Sequence, residues 1–323
     1  MVLVLGLLQA RANDAATTVI FAPTYQLKTF KAIAAELRAA QDTIDVAMFL
    51  FSEHELAEEL ADAKQRGVTV RVITDTGMAK LGSSRDEWLA YRGIPVKRFG
   101  QGTAMGAKFH HKFAVIDGKT VITGSLNWAN DTETWNYENT VFIRDTTIAR
   151  AFAKEFDSLF KTGQGNVGST TDVLFAPTGY SESLERKIVN EANKAQSEIV
   201  VAIYLFTSWD IQKGLASALD RGVKVSILCD WRQLEYSSEV INSLKARGAR
   251  VKIVRLSGSG ILAEKFHQKY AVIDGKTVVM GSYNWAPNQD KYGWDNLVIL
   301  RDPSLAQKYI QNFAATWSSN VAH

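Results

Sequence analysis

The sequence predicts an α/β protein of two homologous lobes, each a mixed, mostly parallel β-sheet flanked by helices. The chain repeats itself: Phe21-Ala22-Pro23 matches Phe175-Ala176-Pro177, the string Val46 to Phe51 matches Val201 to Phe206, and Arg66-Gly67-Val68 matches Arg221-Gly222-Val223. Apolar runs also alternate with amphipathic stretches in βαβ order. Those runs show little polar interleaving, as expected for a sheet covered on both faces. The expected organisation is an apolar N-terminal segment over 1–18, a first lobe over 19–161, a Gly/Ser/Thr-rich linker over 162–171 and a second lobe over 172–323.

Each lobe opens on a short strand, Val19 to Phe21 or Val173 to Phe175. An amphipathic helix follows, Phe30 to Ala40 or Ser183 to Ala195, and then an apolar strand, Ile44 to Leu50 or Ile199 to Leu205. The next helix, Glu55 to Arg66 or Ile211 to Arg221, ends at Gly67 or Gly222. In the first lobe Ser52 and Glu55 fit a capping box, which puts His54 at a helix start. Strands over Thr69 to Thr74 and Lys224 to Cys229 come next. Further helices over Asp86 to Arg92 and Ser238 to Arg247 lead to Val96-Lys97-Arg98 and Val251-Lys252-Ile253. A β-hairpin then turns at Asp117-Gly118 or Asp274-Gly275. Each lobe closes on a strand, Thr140 to Ile143 or Leu297 to Leu300, and a final helix.

The hairpins carry the chemistry. His110-x-Lys112-x4-Asp117-x6-Gly124-Ser125-x-Asn127 recurs as His267-x-Lys269-x4-Asp274-x6-Gly281-Ser282-x-Asn284, and a carboxylate, Glu138 or Asp295, follows 28 residues after each His. Residues i and i+2 of a strand point to one side, so His110 and Lys112 can meet one phosphate while His111 faces away and packs. Cleaving a phosphodiester needs an attacking group, a proton donor for the leaving oxygen, and donors around the charged oxygens. Two histidines from two half-sites can share the first two roles, one forming a phosphohistidine and the other protonating the alcohol. Glu138 and Asp295 can each accept from the ring nitrogen that does not react. Lys112, Lys269, Ser125, Ser282, Asn127 and Asn284 are the expected phosphate ligands. Asp117 and Asp274 read as supports of their turns. Lys108 and Lys265 either add positive potential or are solvated. Trp135, Tyr137, Tyr292 and Trp294 are expected to be buried between the lobes, and the Gly-bearing loops 100–106 and 257–262 to form mobile rims over the site.

This duplicated string resembles the signature of the phospholipase D superfamily, along nearly the whole chain from about Val19 to Trp317. The resemblance implies two pseudo-two-fold-related lobes with one active site at their interface. It also implies a metal-independent reaction without a cofactor, with His110 as nucleophile and His267 as general acid, although the near symmetry leaves that order open. The Gly-Ser-x-Asn-Trp form of both strings looks more like the endonuclease branch, acting on DNA or RNA. The alternative is a secreted phospholipase D that hydrolyses or transphosphatidylates glycerophospholipids, touching the membrane surface through Met105, Ile261, Leu262 and the tryptophans.

Composition sets the bounds. With 46% hydrophobic and 22% charged residues the chain is that of an ordinary globular protein, and a net charge of +3 falls short of a dedicated nucleic-acid binder. The single cysteine, Cys229, excludes a disulfide within the chain and a cysteine-built metal site. It reads as a core residue. Met1 to Leu8 followed by Ala10-Arg11-Ala12 resembles the end of a secretory signal, which favours a secreted or periplasmic protein over a cytoplasmic one. No apolar run is long enough to span a membrane, and a monomer is expected.

Overall fold

The computed structural model describes residues 17–101, 107–130, 132–177, 183–256 and 264–319. The signal-like N-terminal segment, loop residues 257–262 and all of the first rim beyond Gln101 lie outside them.

The first lobe runs β1 (Thr18–Ala22), α1 (Lys28–Ala39), β2 (Thr43–Met48), α2 (His54–Gln65), β3 (Thr69–Asp75), α3 (Asp86–Tyr91), β4 (Val96–Phe99), β5 (Lys112–Ile116), β6 (Thr120–Gly124), α4 (Thr132–Trp135), β7 (Glu138–Ile143) and α5 (Thr146–Thr162). The second repeats it as β8 (Val173–Phe175), α6 (Leu184–Lys194), β9 (Glu198–Ile203), α7 (Trp209–Asp220), β10 (Lys224–Asp230), α8 (Gln233–Ala246), β11 (Arg250–Val254), β12 (Lys269–Ile273), β13 (Thr277–Gly281), α9 (Pro287–Tyr292), β14 (Asn296–Arg301) and α10 (Pro303–Ser318).

Each lobe holds a seven-stranded sheet, ordered β1-β7-β6-β5-β2-β3-β4 and, strand for strand, β8-β14-β13-β12-β9-β10-β11. In the first sheet β1 to β4 and β6 share one direction. Because β5 and β7 run against them, only the β2–β3 and β3–β4 pairings are parallel and the other four are antiparallel. The sheet is therefore mixed, but mostly parallel only in strand direction. The apolar runs could not reveal this, since a strand buried on both faces reads alike whichever way its neighbours run.

Three apolar clusters stack through the molecule. An outer one joins α1 and α2 to the first sheet through Phe30, Leu37, Leu56 and Leu60, and another joins α6, α7 and α8 to the second through Ile188, Leu215 and Leu244. The central cluster is shared: Phe113, Phe152 and Phe156 of the first lobe and Tyr270, Tyr309 and Phe313 of the second belong to one core, so α5 and α10 fill the space between the sheets. Asp145 and Asp302 cap these two helices, each accepting from two backbone amides. At α2 the cap is Glu53, which accepts from the Glu55 amide at 3.4 Å, and not Ser52. The Ser52 hydroxyl accepts instead from the amide of Asn130 at 3.1 Å, so the expected capping box gives way to a tie between loops.

No helix among the described residues is long and apolar enough to cross a membrane. A cleft of about 530 Å³ lined by Ile143, Ile148, Asp172, Arg301 and Leu305 lies at the end of the sheets away from the hairpin histidines. Its Arg301 is paired with Asp172 and Glu191.

Candidate active site

Both hairpins turn as their sequence requires. Asp117 and Gly118 have φ of 52° and 61°, Asp274 and Gly275 of 51° and 63°, the pattern of a type I′ turn. The Asp117 carboxylate accepts from the amides of Gln41, Asp42 and Thr43, and Asp274 from those of Gln196, Ser197 and Glu198. These amide donors outweigh burial and hold both carboxyls below the ordinary range. Neither reaches the histidines. Gly124 and Gly281 close the return strands at φ of 147° and 158°, where a Cβ would stand 2.0 Å from Asn139 O or 2.2 Å from Asn296 O. Only glycine lets the two strands approach this closely.

The lobes meet through main chain. The Phe109 and Trp294 segments form a parallel bridge across the interface, as do those of Tyr137 and Phe266. The His110 amide donates to Trp294 O at 2.9 Å, and the His267 amide to Tyr137 O at 2.9 Å. Asp295 follows Trp294, and Glu138 follows Tyr137. Each carboxylate is thereby delivered to the other lobe's histidine: His110 Nδ1 lies 2.8 Å from Asp295 Oδ1, and His267 Nδ1 lies 2.8 Å from Glu138 Oε1. With Nδ1 engaged, Nε2 is the nitrogen left for chemistry. The rings rest edge-on against Phe49 and Tyr204, both at 5.0 Å between centroids. These two aromatics occupy matching places in the repeated strings, a signal the sequence reading passed over.

Lys112 and Lys269 are buried, each donating to the carbonyl of its own histidine, at 2.8 and 2.6 Å. Asn127 and Asn284 are buried, with no described partner for either side-chain oxygen. The serines stand elsewhere than expected. Ser125 and Ser282 are fully buried, their hydroxyls accept from the amides of Asn139 and Asn296, and Ser282 also donates to Asp295 Oδ1 at 2.7 Å. They hold the carboxylate strands, so their expected place on the phosphate is corrected. His111 packs among Phe109, Phe113 and Phe175, with no partner for either ring nitrogen among the described residues. Of the four interface aromatics, Tyr137 and Trp294 are partly buried, whereas Trp135 and Tyr292 are each 53% exposed. Trp135 ends the short helix α4 and Tyr292 ends α9, two elements absent from the sequence reading.

The electrostatics separate the half-sites. Burial, then the charge of Lys112, pushes His110 down to about 4, so it is a neutral imidazole at pH 7 with a free Nε2 lone pair. Burial would raise Asp295, but His110, Lys112 and the Ser282 hydroxyl outweigh it and hold this carboxyl below its ordinary range. Glu138 goes the other way, pushed up to about 7 by burial against the opposing pull of Lys269. Burial lowers His267, reinforced by Lys269, Lys112, Lys265 and His110, and brings Lys112 down to about 7. His267 feels first-lobe groups and His110 feels Lys269, so both half-sites share one electrostatic field.

Comparison with known proteins agrees with this geometry. The family model described as "Cardiolipin synthase, PLD-like domain" matches twice, over residues 33–160 and 188–317. The chain belongs to the phospholipase D superfamily. Among its superfamily relatives, the mitochondrial cardiolipin hydrolase of Mus musculus is 36% identical over 145 residues, 45% of this chain and 58% of that protein. A phospholipase D of Rickettsia conorii is 32% identical over 133 residues, 41% of this chain and 64% of its own. The chain thus spans less than two thirds of these relatives. A phosphatidylserine synthase of Haemophilus influenzae shares the fold, with a TM-score of 0.72 at 13% identity over 95% of this chain and 86% of the other.

Proposed function

We propose that the protein hydrolyses phosphodiesters of glycerophospholipids through a covalent phosphohistidine on His110. The crossed pairing of His110 with Asp295 and His267 with Glu138 carries this reading, because it orients two imidazoles from opposite lobes with Nδ1 engaged. His110 Nε2 attacks phosphorus and the P–O bond to the departing alcohol breaks, with the proton for that oxygen coming from His267 Nε2. Water then attacks the P–N bond, His267 takes its proton, and the phosphomonoester leaves His110 free. Glu138 is the proton reserve of the second pair: near neutral pH it holds a proton that passes to His267 once the substrate's negative charge offsets the lysines. Lys112, Lys269, Asn127 and Asn284 surround the phosphoryl oxygens.

The lipid reading displaces the endonuclease expected from the Gly-Ser-x-Asn-Trp strings. Trp128 and Trp285 are buried edge-on against Phe51 and Phe206, so they serve the core and carry no information about substrate. The curated relatives are named for cardiolipin and phospholipid hydrolysis. The test is incubation of the purified protein in EDTA with phosphatidylcholine micelles, diphosphatidylglycerol micelles, single-stranded DNA and RNA. Lipid turnover is expected; nucleic-acid cleavage without it sinks the assignment.

A further inference from the structure

Three matched positions differ between otherwise equivalent lobes. At the end of β3 the Asp75 carboxylate accepts from the amides of Gly77, Met78 and Phe109; at the end of β10 Asp230 accepts from those of Arg232 and Phe266. The Thr76 amide donates to Phe99 O and the Trp231 amide to Val254 O. This register equates Thr76 with Trp231, Gly77 with Arg232, and Gly100 with Arg255. Where the first lobe has a threonine and two glycines, the second has a tryptophan with two guanidiniums against it, Arg232 at 4.9 Å and Arg255 at 5.7 Å from the ring centroid.

The first lobe makes the same junction without an arginine, so the fold does not require one. Arg232 is 9% exposed; its Nη1 donates to both Asp230 oxygens and to Glu264 O, while its Nη2 is buried with no partner among the described residues. A buried guanidinium nitrogen left unpaired is costly unless a ligand completes it. The group lies beside 264–266, the segment that leads into His267, and Asp230 ties it to the Phe266 amide. Arg232, Arg255 and Lys265 against Asp230 and Glu264 leave the second wall at +1, whereas Lys108 against Asp75 leaves the first at 0.

We propose that Trp231, Arg232 and Arg255 form a subsite for a second phosphate of the substrate, on the His267 side of the cleaved bond. The inference rests on the phosphodiesterase reading above and adds a direction to it: a glycerophospholipid carrying two phosphates binds in one orientation, its second phosphate on the second lobe.

The experiment measures kcat/KM for diphosphatidylglycerol and phosphatidylcholine in mixed micelles, with bis(4-nitrophenyl) phosphate as a diester that lacks a second phosphate. Arg232→Gln and Arg255→Gln are each expected to lower the ratio of the two lipid values about ten-fold, through KM of the two-phosphate lipid. Arg232→Lys should restore part of it. Because Arg232 also touches Asp230, the exposed Arg255 provides the variant least able to disturb folding. An unchanged ratio in Arg255→Gln and Arg232→Gln overturns the subsite. A ten-fold loss on a single-stranded oligonucleotide with no change in the lipid ratio would assign the subsite to a polynucleotide and overturn it for lipid. If the unaltered protein cleaves no diester, including the chromogenic one, the phosphodiesterase reading itself fails.

Discussion

The half-sites around His110 and His267 share every motif residue and nearly identical geometry, yet they hold their protons differently. Asp295 is shorter, is held by the Ser282 hydroxyl and stays ionised beside a neutral His110. Glu138 is held likewise, by the Ser125 hydroxyl and by Asn136 at 3.4 Å, yet burial brings it up to about 7. A duplicated backbone can thus supply one pair ready to attack and one ready to donate, with the division set by how burial balances against the charges around each carboxylate.

The largest expected effect separates the histidines. Asparagine at either position should lower turnover by a factor on the order of 10⁴ or more, but only His267→Asn should accumulate a phosphorylated protein detectable by mass spectrometry. An adduct in His110→Asn instead would exchange the two roles. Next come the carboxylates. Asp295→Asn removes the acceptor that fixes His110 and should cost about 10³- to 10⁴-fold in kcat. Glu138→Gln should cost about 10²-fold, since an amide keeps a hydrogen bond to His267 but has no proton to pass on; losses equal to those of Asp295→Asn would erase the proposed difference.

The pH dependence follows from the same asymmetry. kcat/KM should rise as His110 loses its proton near pH 4 and fall near pH 7, where Glu138 and Lys112 lose theirs. Lys112→Arg should leave the Glu138 titration alone on the falling limb, and a limb that vanishes in that variant would remove Glu138 from the scheme.

Stability tests ask where the lobes are truly equivalent. Gly124→Ala and Gly281→Ala should each lose about 3 kcal/mol by urea unfolding, because both Cβ atoms meet backbone. A loss confined to one lobe would show that the repeat is looser than its strand order. His111 is the smallest case. Its counterpart Gln268 is bonded to Asn312, whereas the His111 ring has no partner among the described residues and burial pushes it down to about 3. The unfolded chain therefore takes up the proton more readily, and stability should fall as acid is added from about pH 6.5 toward pH 3. His111→Leu should gain about 1 kcal/mol at pH 7 and more at pH 5; a loss would mean that the ring finds a partner in solution.

Much of this was legible in the chain itself. The repeat, the βαβ order, the hairpin turns and the residues of both half-sites follow from local spacing, because strand alternation and Asp-Gly turns act over a few residues. Asp117 and Asp274 were readable as turn supports for the same reason. The serines and tryptophans of the motifs were misread, since spacing places a residue near a site without saying which way it faces. Tertiary structure alone decided that each carboxylate serves the other lobe's histidine. That contact spans 185 residues for His110 and Asp295, and it is made by backbone bridges at Trp294 and Tyr137 that no side-chain pattern encodes. The Arg-Trp-Arg wall belongs with it: Arg255 is separate in sequence from the adjacent Trp231 and Arg232, and only the aligned ends of β10 and β11 bring it against them.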